Sequence, residues 1–299
     1  MNLSELTTES SDPRFAGIDT MSVGELAATM NAADATVPDA VAKALPRITE
    51  AIEATAERME AGGRLVYVGA GTPGRLGVLD ASECPPTFST PPEQVFAIIA
   101  GGESAIVSPR EGAEDDEEAG VAAIDAAGIG PLDTVVGIAS SGRTPYVVAA
   151  VRRAGELGAL TVGLTCNTGT PLSDVAGHAI EVLVGPEVVS GSTRLKAGTA
   201  QKLVLNMFST IVMVRLGKTY GNLMVDVKAT NGKLRERAVR IMRTITGAER
   251  DEALAVLDRN GFNVKQAVVA SRFELSPQDA AALLARAGGR LRAALGEQV

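Results

Sequence analysis

Four polar stretches of this 299-residue chain carry side chains suited to acid–base or anion-binding chemistry. The first is Asp80-Ala-Ser-Glu83-Cys84-Pro85-Pro86. Asp80 and Glu83 are three apart, so they share one face of a helix. The two prolines predict that this helix stops there, leaving Glu83 at a helix C-terminus. The dipole at that end disfavours an ionised carboxylate, and a carboxyl that keeps its proton toward neutral pH can donate it. The second stretch, Glu111-Gly-Ala-Glu114-Asp115-Asp116-Glu117-Glu118, reads as the start of a helix over about 113–127. Acids are at home in a first helical turn. Most of these six are expected to be solvated, and clustered surface acids are commoner than metal ligands.

The third stretch is Ala139-Ser140-Ser141-Gly142-Arg143-Thr144-Pro145. Pro145 suits a first helical turn, and a helix N-terminus with unpaired N–H groups is a ready anion site. Three hydroxyls beside Gly and Arg favour a phosphate monoester over an ordinary N-cap. There is no G-x-x-x-x-G-K-[ST], so a nucleoside triphosphate is not implied. The fourth stretch contains Glu187, Ser192, Thr193, Arg194 and Lys196. It reads as a substrate-contacting loop or as a helix cap made by Ser192 and Thr193. Gly69-Ala-Gly71-Thr72-Pro73-Gly74 matches G-x-G-x-x-G, but the acid that a dinucleotide ribose requires at the end of the second strand, about 20 residues on, is missing. The nearest candidate there, Glu103, lies 34 residues after Gly69, so glycines that permit a tight turn explain the motif better than NAD.

Something must hold these loops in place. Short apolar runs at 65–69, 95–100, 134–139, 160–165 and, more weakly, 179–184 alternate with helix-compatible segments near 75–82, 113–127 and 145–157. That alternation predicts a parallel sheet covered on both faces, with the chemistry just beyond the carboxyl ends of the strands. Ahead of it, residues 1–20 form a polar arm or cap, and helical spacing runs from 22 to about 61. After it, 196–216 reads as a long buried helix and 228–242 as a basic amphipathic one. The tail is duplicated. Moved by 27 positions, 251–269 overlays 278–296 with Ala253/Ala280, Leu257/Leu284, Arg259/Arg286 and Gly261/Gly288 identical. The predicted domains are 1–245 and a small helical module at 246–299; two copies are too few for a solenoid.

Composition narrows the function further. With 28 Lys+Arg against 36 Asp+Glu, the formal charge is −8, which disfavours a dedicated nucleic-acid binder. Aromatics are 3% with no Trp, too few for base-stacking platforms. One histidine, His178, excludes multi-His metal centres, and two cysteines, Cys84 and Cys166, cannot make a disulfide framework. The start has no basic, apolar signal-peptide pattern, and the longest uncharged apolar run near the C-terminal half, at 203–214, is shorter than the roughly 20 residues that a bilayer requires. The expectation is a cytoplasmic protein with no membrane contact.

Taken together, 69–88, Glu111-Gly-Ala-Glu-Asp115, Ser141-Gly-Arg-Thr-Pro-Tyr146, 185–202 and 220–227 resemble the N-acetylmuramic acid 6-phosphate etherases. The resemblance covers nearly the whole chain. It implies the three-layer α/β/α fold of the sugar isomerase (SIS) superfamily, with a central parallel sheet and a small all-helical C-terminal module. It also implies a cytoplasmic homodimer in cell-wall recycling, a carbon–oxygen lyase that releases D-lactate, and neither a metal nor another cofactor. By position, the catalytic pair falls on Glu83, taken as the acid, and Glu114, taken as the base, with reversed roles left open. Phosphate and substrate contacts fall on Thr72, Ser140, Ser141, Arg143, Thr144 and Ser192, with Lys233 a further anion contact. One departure stands out: the family loop reads Gly-Thr-Ser-Gly-Arg, and this chain has Pro73 in place of that Ser. The competing readings are an aldose–ketose isomerase, which often uses a His that His178 is badly placed to supply, and a non-catalytic sugar-phosphate sensor, against which the two glutamates argue.

Overall fold

The computed structural model describes residues 6–297; residues 1–5 of the expected arm and the last two of the tail lie outside the described residues. The chain divides into an α/β unit, Met1–Ser82 with Glu93–Thr210, and a helical unit, Glu83–Pro92 with Ile211–Val299.

In the α/β unit, the polar start packs closely: Leu6 and Thr8 are buried. The helical stretch that follows is two helices, α1 (Val23–Asp34) and α2 (Val37–Glu60). Ser22 and Glu25 form a capping box on α1, and Pro38, in the first turn of α2, marks the restart. Next come β1 (Leu65–Gly69), α3 (Gly71–Phe88), β2 (Val95–Ile99), α4 (Ser104–Val107) and α5 (Glu117–Ala126). They are followed by β3 (Thr134–Ile138), α6 (Pro145–Glu156), β4 (Leu160–Thr165), α7 (Pro171–Val175), β5 (His178–Glu181) and α8 (Lys196–Arg215).

The five strands are parallel in the order β2-β1-β3-β4-β5. Every residue of β1 and β3 is buried, as uninterrupted apolar runs require when helices cover both faces. Val66, Val68 and Val135 join Ile124 of α5 and Val147 and Val151 of α6 in one core. On the opposite face, Tyr67 and Ile138 lie under Gly77 of α3. The result is the expected three-layer α/β/α arrangement. Connections leave β1 in opposite senses, β2 to one side and β3 to the other, so a crevice opens at the carboxyl ends of β1 and β3. His178, the first residue of β5, sits at the opposite, amino end of the strands.

At that amino edge, Asp133 accepts hydrogen bonds from Arg64 N, Nε and Nη2 and from Gly130 N, at 2.6–3.0 Å, tying the entries to β1 and β3.

The helical unit contains α9 (Gly232–Thr246), α10 (Arg250–Arg259), α11 (Val264–Phe273), α12 (Pro277–Arg286) and α13 (Leu291–Ala294) around a core that includes Met242, Leu257, Val268, Ala280 and Leu291. The start of α9 falls later than its charge pattern suggests, because Asn231 caps it by accepting from Leu234 N. The duplication is visible in the backbone: α12 repeats α10 at an offset of 27 residues, and α13 opens at the same offset from α11.

Candidate active site

Three loops frame the site, and two of them follow β1 and β3 directly at the crevice. After β1, the chain turns at Ala70 and enters α3 within two residues. A Cβ on Gly69 would lie 2.6 Å from Gly74 N, and one on Gly74 would lie 2.7 Å from Ile99 Cγ1 and 2.9 Å from Gly69. The glycines therefore serve close packing of strand, turn and helix. Pro73 lies in the first turn of α3, where its missing N–H has no helical partner to lose. Thr72, half-buried beside it, faces α8: its Cγ2 is 3.7 Å from the Cβ position of Gly198.

After β3, the stretch 139–144 closes a tight loop. Gly142 has φ +68°, donates to Ala139 O at 3.0 Å and accepts from Leu172 N at 3.0 Å. Ser141 Oγ accepts from Arg143 N at 3.2 Å. Thr144 occupies the N-cap position of α6 without its side chain capping the helix, leaving the hydroxyl for other use. Ser140 is the buried member: its Oγ accepts from Gln201 Nε2 and its carbonyl from Asn167 Nδ2, both at 3.0 Å. The third loop, 185–195, holds Ser192, half-buried, with its amide donating to Val189 O at 2.9 Å. The cap of α8 is Glu187 rather than Ser192 or Thr193. Glu187 Oε2 accepts from Lys196 N and Oε1 from Ala197 N, at 2.9 and 3.0 Å. A carboxylate meeting two orphan amides at the positive end of a helix is stronger than a hydroxyl meeting one. Burial pulls the Lys196 ammonium below its ordinary range, opposed by the Glu187 charge, and Lys196 Nζ donates to Val184 O at 2.7 Å.

Glu114 lies in the turn before α5, outside the helix. Asp116 caps α5 by accepting from Ala119 N at 2.8 Å, so the helix starts at Glu117. Glu114 is thereby freed from a helical turn, and its carbonyl accepts from Tyr146 N at 3.0 Å, fastening it to the N-terminus of α6. Its side chain is exposed and lines an open cavity of about 250 Å³ with Gly71, Arg75, Ala100 and Arg110. Arg75 anchors that cavity by donating to the carbonyls of Ile106 and Ala105 at 2.9 and 2.8 Å.

The prolines after Glu83 do not end the helix. α3 continues through Pro85 and Pro86 to Phe88 and stops at Ser89, whose φ is +51°. Proline removes its own amide from the ladder, but the turn beyond closes through Ser89 N to Pro85 O at 3.0 Å. Glu83 therefore lies within the helix, exposed, and belongs to the helical unit. Asp80 takes a structural part. Its carboxylate accepts from Tyr67 Oη, Asn206 Nδ2 and Ser209 Oγ at 2.7–3.1 Å, and burial lifts its pKa against those bonds. Lys233, exposed in the first turn of α9, lines a basic groove with Arg237, Arg240, Arg243 and Arg250.

The α/β unit thus brings Thr72, Ser140, Ser141, Arg143, Thr144 and Glu114 to the carboxyl edge of its sheet, while Glu83 and Lys233 stand in the helical unit. Sequence reasoning missed Gln201 and Asn167, two ordinary polar residues with no distinctive spacing. Glu187 stood in the fourth polar stretch, but its capping role did not show. Among the described residues, no three His, Cys, Asp or Glu side chains gather to hold a metal ion, and no helix is long and apolar enough to cross a membrane.

Comparison with known proteins adds a second line. The model for the glucokinase regulatory protein N-terminal SIS domain matches residues 47–155, and that for the SIS domain matches residues 117–211. N-acetylmuramic acid 6-phosphate etherase from Rubrobacter xylanophilus is 59% identical over 295 residues, covering 99% of this chain and 97% of that protein. The protein of the same name from Streptomyces coelicolor is 57% identical over 293 residues, covering 98% and 94%. A solved phosphoheptose isomerase from Francisella tularensis superposes with a TM-score of 0.52 at 18% identity, over 65% of this chain and 100% of that one, a likeness of fold alone.

Proposed function

The chain belongs to the N-acetylmuramic acid 6-phosphate etherases, and from that premise we propose that it breaks the lactyl ether by elimination followed by hydration. The observation that carries the reading is identity of 59% running through 99% of the chain. The geometry supports it: Glu114 opens into the cavity beside the first loop, on a turn tied to the helix that follows the phosphate loop.

In the open-chain form of the sugar, the aldehyde acidifies the proton on carbon 2. Glu114 removes that proton as a carboxylate. Glu83, as the carboxylic acid, protonates the ether oxygen on carbon 3, and the carbon–oxygen bond breaks to release D-lactate. Water then adds at carbon 3 of the unsaturated aldehyde, and carbon 2 regains a proton, giving N-acetylglucosamine 6-phosphate. Two carboxyls in opposite protonation states suffice for both halves. In this reading the enzyme is a carbon–oxygen lyase. The phosphate rests on Ser140, Ser141, Arg143 and Thr144, with Thr72 and Ser192 toward the sugar and Lys233 as a further anion contact. The protein works as a cytoplasmic homodimer, with the duplicated helices as a module of their own.

The test is to incubate the protein with N-acetylmuramic acid 6-phosphate in H₂¹⁸O and to assay D-lactate, alongside Glu83→Ala and Glu114→Ala. Lactate release with ¹⁸O in the sugar product, lost in both variants, is expected. Unlabelled sugar would mean cleavage on the lactate side of the oxygen and would refute elimination. Binding of the sugar phosphate without lactate would leave a sensor.

A further inference from the structure

One fully buried residue of α8 reaches into the loop after β3. Gln201 is 0% exposed, and its Nε2 donates to Oγ of Ser140, itself 6% exposed, at 3.0 Å. Gln201 Oε1 is buried and, among the described residues, accepts no hydrogen bond. From the other side, Asn167 Nδ2 donates to the Ser140 carbonyl at 3.0 Å, and Asn167 Oδ1 accepts from Thr7 Oγ1 at 2.8 Å. Two buried carboxamides therefore clamp Ser140, one at its hydroxyl and one at its backbone.

The hydrogen-bond inventory gives this clamp a direction. A serine hydroxyl has one proton to donate and two lone pairs to accept with. Gln201 occupies a lone pair, so the proton of Ser140 is left to point away from α8. Turning the amide over would place the serine proton on Oε1 and leave both buried N–H groups unmet, in place of one N–H and one carbonyl. Orphaned buried N–H groups are the rarer and costlier case. The amide is thus held in the sense that makes Ser140 a donor.

We propose that Gln201 is a positioning residue for phosphate recognition: it sets the Ser140 hydroxyl as a hydrogen-bond donor to the phosphoryl oxygens of the substrate. This inference rests on reading 140–144 as the phosphate loop. The chemistry calls for such a device. A phosphate monoester offers only acceptors at neutral pH, so a serine whose proton were captured by the protein would present a lone pair to it and repel it.

Calorimetric titration with N-acetylglucosamine 6-phosphate and with inorganic phosphate tests the proposal, using the full chain and thermal unfolding to check that each variant folds. Gln201→Met keeps the volume and removes the unmet carbonyl, so it is expected to fold; it should weaken sugar-phosphate binding about two- to tenfold, the range of one lost neutral hydrogen bond. Gln201→Glu can only accept when ionised, so in titrations run at a pH where its carboxyl has lost its proton it captures the serine proton and should weaken binding more than tenfold. Ser140→Ala should match Gln201→Met, and the double variant should bind no more weakly than Ser140→Ala alone, because both changes remove the same contact. Losses that add in the double variant, or unchanged affinity in a folded Gln201→Glu, would overturn the positioning role. Failure of the unaltered protein to bind either probe would overturn the phosphate-loop reading itself.

Discussion

Gly142 gives the most demanding test of how the site is built, because a single methyl group probes it. The residue has φ +68°, and an added Cβ would lie 2.3 Å from Thr170 Oγ1, 2.5 Å from Thr170 Cβ and 2.7 Å from Thr165 Oγ1. None of these neighbours yields easily. Thr170 caps α7 by accepting from Ser173 N at 3.2 Å, and Thr165 ends a buried strand. The loop is also pinned by Gly142 N to Ala139 O and by Leu172 N to Gly142 O. Gly142→Ala combines a left-handed backbone cost of about 1–2 kcal/mol with overpacking of about 1–3 kcal/mol. A total near 3 kcal/mol lowers the melting temperature of a unit this size by roughly 6–12 °C. Gly169→Ala is the matched control: its φ is +59°, but among the described residues nothing lies within 4 Å of its Cβ position. It carries only the backbone cost of about 1–2 kcal/mol. Differential scanning calorimetry separates the two, and titration with N-acetylglucosamine 6-phosphate reads the site. Gly142→Ala should lose affinity by tenfold or more, since small displacements of positioning groups have large effects, while Gly169→Ala keeps it. Equal melting temperatures for the two variants, or full affinity in Gly142→Ala, would refute the steric argument.

Three further outcomes follow from buried polar groups. Glu187→Ala strips the acceptor from Lys196 N and Ala197 N and should cost about 3 kcal/mol, given roughly 1–3 kcal/mol per unmet buried donor; Glu187→Gln should lose about half as much, read by thermal unfolding. Burial alone would raise the Asp133 carboxyl, but hydrogen bonds from Arg64 and from the Gly130 amide hold it below its ordinary value. Its stabilisation is therefore complete above the unfolded value of about 4 and drains away as pH falls through the lower folded value. Melting curves between pH 7 and pH 3 should show a steeper acid decline in the unaltered protein than in Asp133→Asn. Burial, with the Glu187 charge adding to it, pushes the Cys166 thiol up to about 12, and Cys84 is buried as well. A chromogenic disulfide reagent at pH 8 should therefore find no reactive thiol in the native protein and both on unfolding.

Much of the frame was legible from neighbouring residues. The apolar runs at 65–69, 134–139 and 160–165 became β1, β3 and β4 within a residue, because a strand buried on both faces needs little beyond its own side chains to declare itself. The duplicated tail was equally plain, and its 27-residue offset recurs in the helices. Local rules misled where a neighbour overrode them. Pro85 and Pro86 signalled a helix end, yet the hydrogen bond from Ser89 N carries the last turn of α3 past them. The acid run from Glu111 looked like a helical first turn, until Asp116 took the cap and left Glu114 in the preceding turn.

What the sequence by itself determined is the order of strands and helices, the tight glycine turn after β1 and the kinds of side chain at the carboxyl edge. Each follows from interactions within a few residues. What only the tertiary structure decided is which polar residue meets which. Gln201 reaches Ser140 across 61 positions, Asn167 reaches Thr7 across 160, and Asp80 reaches Asn206 and Ser209 across 126 and 129. No spacing encodes such pairs, because they form only when the buried sheet brings distant segments together and every buried donor must then find an acceptor.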